Sequence, residues 1–218
     1  LLKRYRKSGH NHYYLITIIL NDDIESLQKV TIDPHFDFDQ LIQPSFFEIC
    51  PFIQNEPTLI DVSAFFGSLK CFKYLLLNGS NLSLPDRSNE ILPHFAIAGG
   101  NVEIIRICNQ KKLSLSGTPQ IASLFHRNDI IDWLIEGECQ EAGDYTKNNG
   151  TIIQNAAVTN NLNAIKMCLE QKVDVNEGNM RKTSLQSACE NGNIESVLLL
   201  LTSNDIDINA CVFKYISF

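Results

Sequence analysis

Apolar residues recur along the chain in a short phrase that follows a glycine or an asparagine. After Gly100 and a short polar step, the phrase IIRIC (104–108) spaces its apolar residues as one face of a helix does. Comparable phrases are CFKYL at 71–75, AIKMC at 164–168 and SVLLL at 196–200. A tight turn between two helices needs a positive φ, which glycine adopts most easily. The pattern therefore predicts pairs of short helices joined by very short turns.

The turn residues recur at a nearly constant interval. Gly67 and Gly100 are 33 residues apart, Asn160 follows after 60 residues, and Gly192 after a further 32. A unit of about 33 residues therefore repeats. The interval of 60 contains one more copy, whose second helix carries IIDWL at 130–134. Because Arg127 stands near the expected glycine there, we expect a shortened turn or a shifted register, and the weakest unit of the array.

Each predicted first helix opens nine residues before its turn. The opening positions are Thr58, Ile91, Thr151 and Thr183, and the missing copy has Thr118-Pro119 near its start. A threonine side chain caps the free N–H groups of a helix start. Small residues follow, such as Ala96 and Ala156-Ala157, and they let neighbouring helices approach closely.

These units resemble ankyrin repeats, whose period of about 33 residues includes Thr-Pro-Leu-His followed by small residues. Thr58-Leu-Ile-Asp61 and Thr183-Ser-Leu-Gln186 keep the threonine, while Leu92-Pro93-His94 keeps the Pro-His portion. Asp174-Val-Asn176 and Asp207-Ile-Asn209 resemble the turn that closes a unit. The resemblance covers roughly residues 57–210. The sequence is similar in character to divergent ankyrin arrays of parasitic protists. It implies an all-α, ankyrin-like helical solenoid.

This resemblance sets the predicted organisation of the chain. Residues 57–218 form the repeat array, with units at about 57–89, 90–117, 118–149, 150–182 and 183–218, and residues 1–56 form an N-terminal helical pair with a capping segment. The segment 32–56 lies outside the period and carries five of the twelve phenylalanines. It therefore either caps the first units or forms a binding loop.

Composition excludes several classes of function. A net charge of −7 disfavours broad binding of nucleic acid, which needs a basic surface. No stretch has the roughly 18 apolar residues of a membrane span. The seven cysteines are never closer than 21 residues, which gives neither a zinc-ribbon spacing nor a disulfide framework and favours the reducing cytoplasm.

Candidate chemistry is sparse. The sequence lacks phosphate-loop, dinucleotide-binding and nucleophile-elbow motifs. His94 occupies the place where ankyrin units use a histidine to brace a turn. We therefore expect no catalysis, no cofactor, no metal and no small-molecule substrate.

The resemblance implies a recognition surface on the first helices and the loop tips. Positions four, seven and eight residues after each opening residue would face the partner, namely Val62, Phe65, Phe66, Phe95, Asn155, Thr159, Ser187, Glu190 and Asn191. Loop tips add Asp86, Arg87, Glu177, Asn179 and Arg181. The phenylalanines among them either form an exposed aromatic patch or pack beneath the 32–56 segment.

The expected function is a non-catalytic protein–protein interaction module, a scaffold or adaptor, with a protein partner. Two alternatives remain open. One is the regulatory or targeting arm of a larger enzyme. The other is a membrane-surface scaffold that uses the four cations Lys3, Arg4, Arg6 and Lys7.

Overall fold

The computed structural model describes residues 13–46, 48–137, 151–176, 178–179 and 182–210. Contacts group the chain into two compact units, Leu1–Ser114 and Leu115–Phe218. Each unit is built from hairpins of two short helices. None of the helices in the described ranges combines the length and apolarity needed to cross a membrane.

The described residues of unit 1 form three hairpins and one extra turn of helix. Its helices are α1 Tyr14–Leu20, α2 Ile24–Val30, α3 Pro51–Gln54, α4 Leu59–Phe65, α5 Leu69–Leu77, α6 Leu92–Gly99 and α7 Val102–Gln110. The first helices of successive hairpins pack together, α1 on α4 and α4 on α6. The second helices do the same, α2 on α5 and α5 on α7.

Unit 2 repeats this arrangement. Its helices are α8 Thr118–Leu124, α9 Asn128–Gly137, α10 Ile152–Thr159, α11 Leu162–Glu170, α12 Ser184–Glu190 and α13 Ile194–Leu200. The first helix α10 packs against α8 and α12, and the second helix α11 packs against α9 and α13. A short antiparallel ladder of β1 Gly178–Asn179 and β2 Lys182–Thr183 precedes α12.

The hairpin turns have one backbone conformation throughout. A positive φ occurs at the same point of each described turn, at Asp22, Gly67, Gly100, His126, Asn160 and Gly192. The predicted glycine corners are therefore equivalent positions in successive hairpins. Asparagine tolerates this conformation better than most residues, which explains its use in the fourth copy.

The third repeat differs from its prediction. Its corner residue is His126, with φ 57°, and not Arg127. The turn keeps three residues between α8 and α9, as the turn between α4 and α5 does, so the expectation of a shortened turn is wrong. The missing length lies in the preceding connection, residues 111–117, which is half as long as the connection 78–91.

The N-terminal helical pair is a hairpin of the same build. Asp22 stands at its corner, and the Asp22 carboxylate accepts hydrogen bonds from the backbone N–H groups of Lys70 and Cys71. The Ser68 hydroxyl donates to the Ile19 carbonyl. These bonds tie α1 to the start of α5, so the pair belongs to the same compact unit as the first two repeats. The partition at residues 56 and 57 remains an interpretation of the repeat pattern.

An asparagine after the corner links neighbouring hairpins, a feature that the sequence did not reveal. The Asn101 amide donates to the Gly67 carbonyl at 3.1 Å, and the Asn161 amide donates to the Ser123 carbonyl at 3.0 Å. The Asn193 amide donates to the Ala157 carbonyl at 2.8 Å. Such bonds fix the spacing of hairpins, because a buried carbonyl left unpaired would cost free energy.

Replacing Asn161 with alanine is expected to lower the free energy of unfolding by about 2 kcal/mol. Asn161 is 1% exposed, and its side chain also caps α11 by accepting the Ala164 N–H. The change leaves the Ser123 carbonyl without this donor. Urea denaturation followed by circular dichroism measures the loss. The matched control is Asn163→Ala, at an exposed position of the same helix, and an equal effect of the two changes would contradict the prediction.

Candidate interaction surface

An aromatic cluster joins α3 to the first helices of unit 1. The ring of Phe52 stacks on Phe65 with centroids 6.3 Å apart and meets Phe95 edge-on at 5.4 Å. Phe66 lies edge-on to Phe65 at 5.3 Å. Phe52 belongs to the short helix α3, which begins at Pro51. This part of the 32–56 segment therefore contacts the first helices of unit 1.

Four predicted surface residues are buried, and these assignments are corrected. Val62 and Phe95 are fully buried because α4 and α6 pack on each other and Phe52 covers the Phe95 ring. Asp86 is buried because its carboxylate accepts the Ser88 and Glu90 N–H groups and so forms a turn. Ser187 is buried between α10 and α12. None of the four can contact a partner of the folded chain.

The remaining predicted residues of unit 1 lie at its surface. Phe65 and Phe66 are half-buried at the end of α4. Arg87 is exposed on the loop that leads to α6, and its guanidinium pairs with the Glu56 carboxylate at 2.7 Å. Aromatic carbon and one paired cation are thus accessible on this side of unit 1.

Polar side chains line the corresponding side of unit 2. Asn155 and Thr159 are half-buried on α10, while Glu190 and Asn191 are exposed at the end of α12. Glu190 pairs with Lys182 of β2. Asn179 lies in β1. Glu177 and Arg181 lie outside the described residues.

A buried polar cluster connects the first two repeats of unit 1. The Asp61 carboxylate accepts the Thr58 N–H at 3.0 Å and the Thr58 hydroxyl at 2.6 Å, which closes a capping box at the start of α4. Burial, the largest cause, raises the pKa of Asp61 to about 7. Burial also raises the pKa of Asp86, and His94 pairs with Glu90 beside them.

Three of the described cysteines lie in the core, while Cys50 is half-buried and Cys189 is exposed. Burial raises the pKa of Cys71, Cys108 and Cys168 to about 12, so these thiols are core groups rather than nucleophiles. Within the described ranges, no three His, Cys, Asp or Glu side chains are grouped to hold a metal ion. The accessible chemistry is that of recognition by aromatic, carboxamide and ionic side chains.

Comparison with known proteins supports an ankyrin-repeat fold. A model described as ankyrin repeats (3 copies) matches residues 120–210. The crystal structure of the human ASB11 ankyrin repeat domain superposes with a TM-score of 0.62 over 91% of this chain and 86% of that chain, at 15% identity. This likeness concerns the fold. No curated protein matches the sequence.

These matches bear on the sequence-based predictions in different ways. The all-α, ankyrin-type fold class is confirmed. The similarity to protist arrays stays a prediction. The period, the shared positive-φ corners, the family model over residues 120–210 and the structural likeness together support a divergent ankyrin-repeat protein.

Proposed function

We propose that this chain is a non-catalytic interaction module that binds a partner protein with its first-helix faces and loop tips. Ankyrin repeats generally act as protein–protein interaction modules. The observation that carries the proposal is which side chains of the described residues are buried and which are accessible. The thiols of Cys71, Cys108 and Cys168 and the raised-pKa carboxyl of Asp61 are buried, whereas the aromatic and carboxamide side chains at the ends of the first helices remain accessible.

Unit 2 offers a polar surface suited to a peptide segment. Asn155 and Thr159 on α10 lie on a helix that packs against α12, where Asn191 follows the last turn. Carboxamides donate and accept hydrogen bonds, so they suit the alternating groups of an extended backbone. Glu190 adds a carboxylate that already pairs with Lys182. A partner segment with a cation would compete for that carboxylate.

The proposed location is the cytoplasm. The described cysteines, Cys50, Cys71, Cys108, Cys168 and Cys189, are all free thiols. Free thiols persist in a reducing compartment. The N-terminal cations Lys3, Arg4, Arg6 and Lys7, on which a membrane-surface alternative depends, lie outside the described residues.

Truncating the polar surface of unit 2 is expected to weaken partner binding at least about tenfold, because interface anchors typically cost more than 1 kcal/mol when truncated. The variant combines Asn155→Ala, Thr159→Ala and Asn191→Ala in the full chain. The partner is first identified by proximity labelling in the source cells. It is then purified, and isothermal titration gives its Kd for each variant.

The matched control changes three side chains on second helices. Lys73→Ala, Arg106→Ala and Lys166→Ala remove exposed groups from α5, α7 and α11 and should leave the Kd unchanged. A cooperative thermal transition above the assay temperature shows that both variants fold; a lower midpoint is expected for the unit 2 variant, because the Asn155 amide donates to the Gln120 carbonyl at 3.2 Å. Absence of any partner, together with a detected turnover by the full chain, would reverse the proposed function.

A further inference from the structure

An insertion interrupts the repeat spacing of unit 1. The corners Asp22 and Gly67 are 45 residues apart, 12 more than Gly67 and Gly100. The extra length lies in residues 43–56, which we name the insertion loop. Its ends are joined, because the Ile42 N–H donates to the Pro57 carbonyl at 2.8 Å and Leu41 forms an isolated antiparallel bridge with Thr58.

Hydrogen bonds inside the insertion loop hold it in one conformation. The Gln54 amide donates to the carbonyls of Ser45 at 2.5 Å and Glu48 at 2.6 Å, and the Gln54 carbonyl accepts the Ser45 N–H at 3.1 Å. The Glu48 carboxylate accepts the Cys50 N–H at 2.9 Å. The loop is therefore closed around the Gln54 side chain.

Apolar contacts fix the underside of the loop to the first helices. Phe52 packs against Phe65 of α4 and Phe95 of α6, and Ile53 is fully buried. The loop thus occupies part of the first-helix face that a partner would otherwise meet in unit 1. A partner approaching this face contacts the outer side of the loop.

The described residues of the loop expose two large apolar side chains and no unpaired charge. The Phe46 side chain is fully exposed and Ile49 is 82% exposed. The loop contains only two charged residues. Glu48 is buried, and Glu56 pairs with Arg87 with its own side chain 16% exposed. Both carboxylates are thus withdrawn from the surface that Phe46 and Ile49 present.

We infer that Phe46 and Ile49 are anchors that insert into an uncharged, apolar pocket of a folded partner protein. This inference rests on the proposed function. A large apolar side chain held on a pre-ordered loop loses little conformational entropy on binding, which is the property of interface anchors. The absence of charge on the outer side selects an uncharged pocket, since a charged group facing it would be desolvated without compensation.

The charge of the chain favours a protein over a membrane as the occupant. Insertion of apolar loop residues into a bilayer is usually assisted by cations that attract anionic lipids. The insertion loop has no Lys or Arg, and the full chain carries a net charge of −7. An apolar pocket in a protein requires no such attraction.

Site-specific crosslinking in the full chain begins the test. Benzoylphenylalanine replaces Phe46 in one variant and Ile49 in another, and the crosslinked partner is identified and purified. Isothermal titration then compares the wild-type chain with Phe46→Ser and Ile49→Ser. We expect each change to weaken binding at least about tenfold, while the thermal transition stays in place because both side chains are exposed.

The control variants truncate exposed apolar residues of the same unit outside the loop. Leu77→Ser and Val102→Ser, at side chains 84% and 64% exposed, should leave the affinity unchanged. An equal loss in these controls would overturn the inference, because binding would then follow general surface apolarity.

The remaining outcomes separate the inference from the proposed function. If the partner binds the loop variants normally but is lost with the unit 2 variant Asn155→Ala, Thr159→Ala and Asn191→Ala, the inference fails and the proposed function stands. If no partner is found by crosslinking or by proximity labelling, both fail. The third measurement is sedimentation with phosphatidylcholine vesicles, with and without phosphatidylserine. Vesicle binding that requires Phe46 would show that the loop binds a membrane and would overturn the inference of a protein pocket.

Discussion

Replacing Gly99 with alanine is expected to destabilise unit 1 by about 2–4 kcal/mol, although alanine is the better helix former. Gly99 is the last residue of α6, and a Cβ added there would lie 2.3 Å from the Ala64 carbonyl oxygen and 2.7 Å from that of Phe65. Both oxygen atoms belong to the backbone of α4, so a change of side-chain rotamer cannot relieve the clash. The two helices would have to separate, and the buried contacts between them would be lost.

Urea denaturation of the full chain measures this loss, with valine at the same position expected to cost more. Helix propensity alone predicts the opposite sign, a gain of about 1 kcal/mol. A Gly99→Ala variant that is as stable as the wild type, or more so, would therefore refute the close approach. The matched control is Gly79→Ala, where φ is 88° and no atom lies within 4 Å of the added Cβ, so that only a backbone cost of about 1 kcal/mol remains.

The role of Gly100 can be predicted from the sequence, and the requirement for Gly99 cannot. Gly100 was predicted to be a corner because it lies 33 residues after Gly67, and its φ of 77° agrees. Gly99 has no periodic counterpart, since the requirement for it comes from the α4 backbone and not from its own turn. The corner His126 is not predictable in the same way, because histidine adopts a positive φ more often than most residues but still only rarely.

The error at Phe95 has a physical origin that the repeat pattern does not show. Phe95 was placed at the surface by counting positions in an ideal repeat, in which no other segment covers the first helices. Phe52 covers it from the insertion loop, and a contact made by an insertion has no period to reveal it. The spacing of 45 residues between corners would have located the insertion, but Asp22 could not be identified as a corner from its residue type.

Replacing Asp61 with asparagine is expected to stabilise unit 1 at pH 8 and to remove a pH dependence. An asparagine carbonyl oxygen can accept the same two bonds from the Thr58 N–H and hydroxyl that the carboxylate accepts. The amide carries no charge to bury. Asp86, Glu90 and His94 lie around this site, so the informative quantity is the difference between the wild type and the variant at each pH.

The sign follows from the pKa of Asp61, which burial raises from 3.8 to about 7. Below pH 3.8 both the folded and the unfolded chain hold the proton. Between pH 4 and 7 the unfolded chain releases it first, so the wild type loses stability as pH rises, by on the order of 4 kcal/mol.

Urea titrations from pH 4 to 8 should show this fall in the wild type and a smaller one in Asp61→Asn. The control Asp23→Asn removes an exposed cap whose pKa is lowered by its bonds to Ser26, so its own contribution is lost on acidification instead. A variant less stable than the wild type at pH 8 would mean that the ionised Asp61 carboxylate stabilises the folded chain, which would contradict a pKa raised by burial.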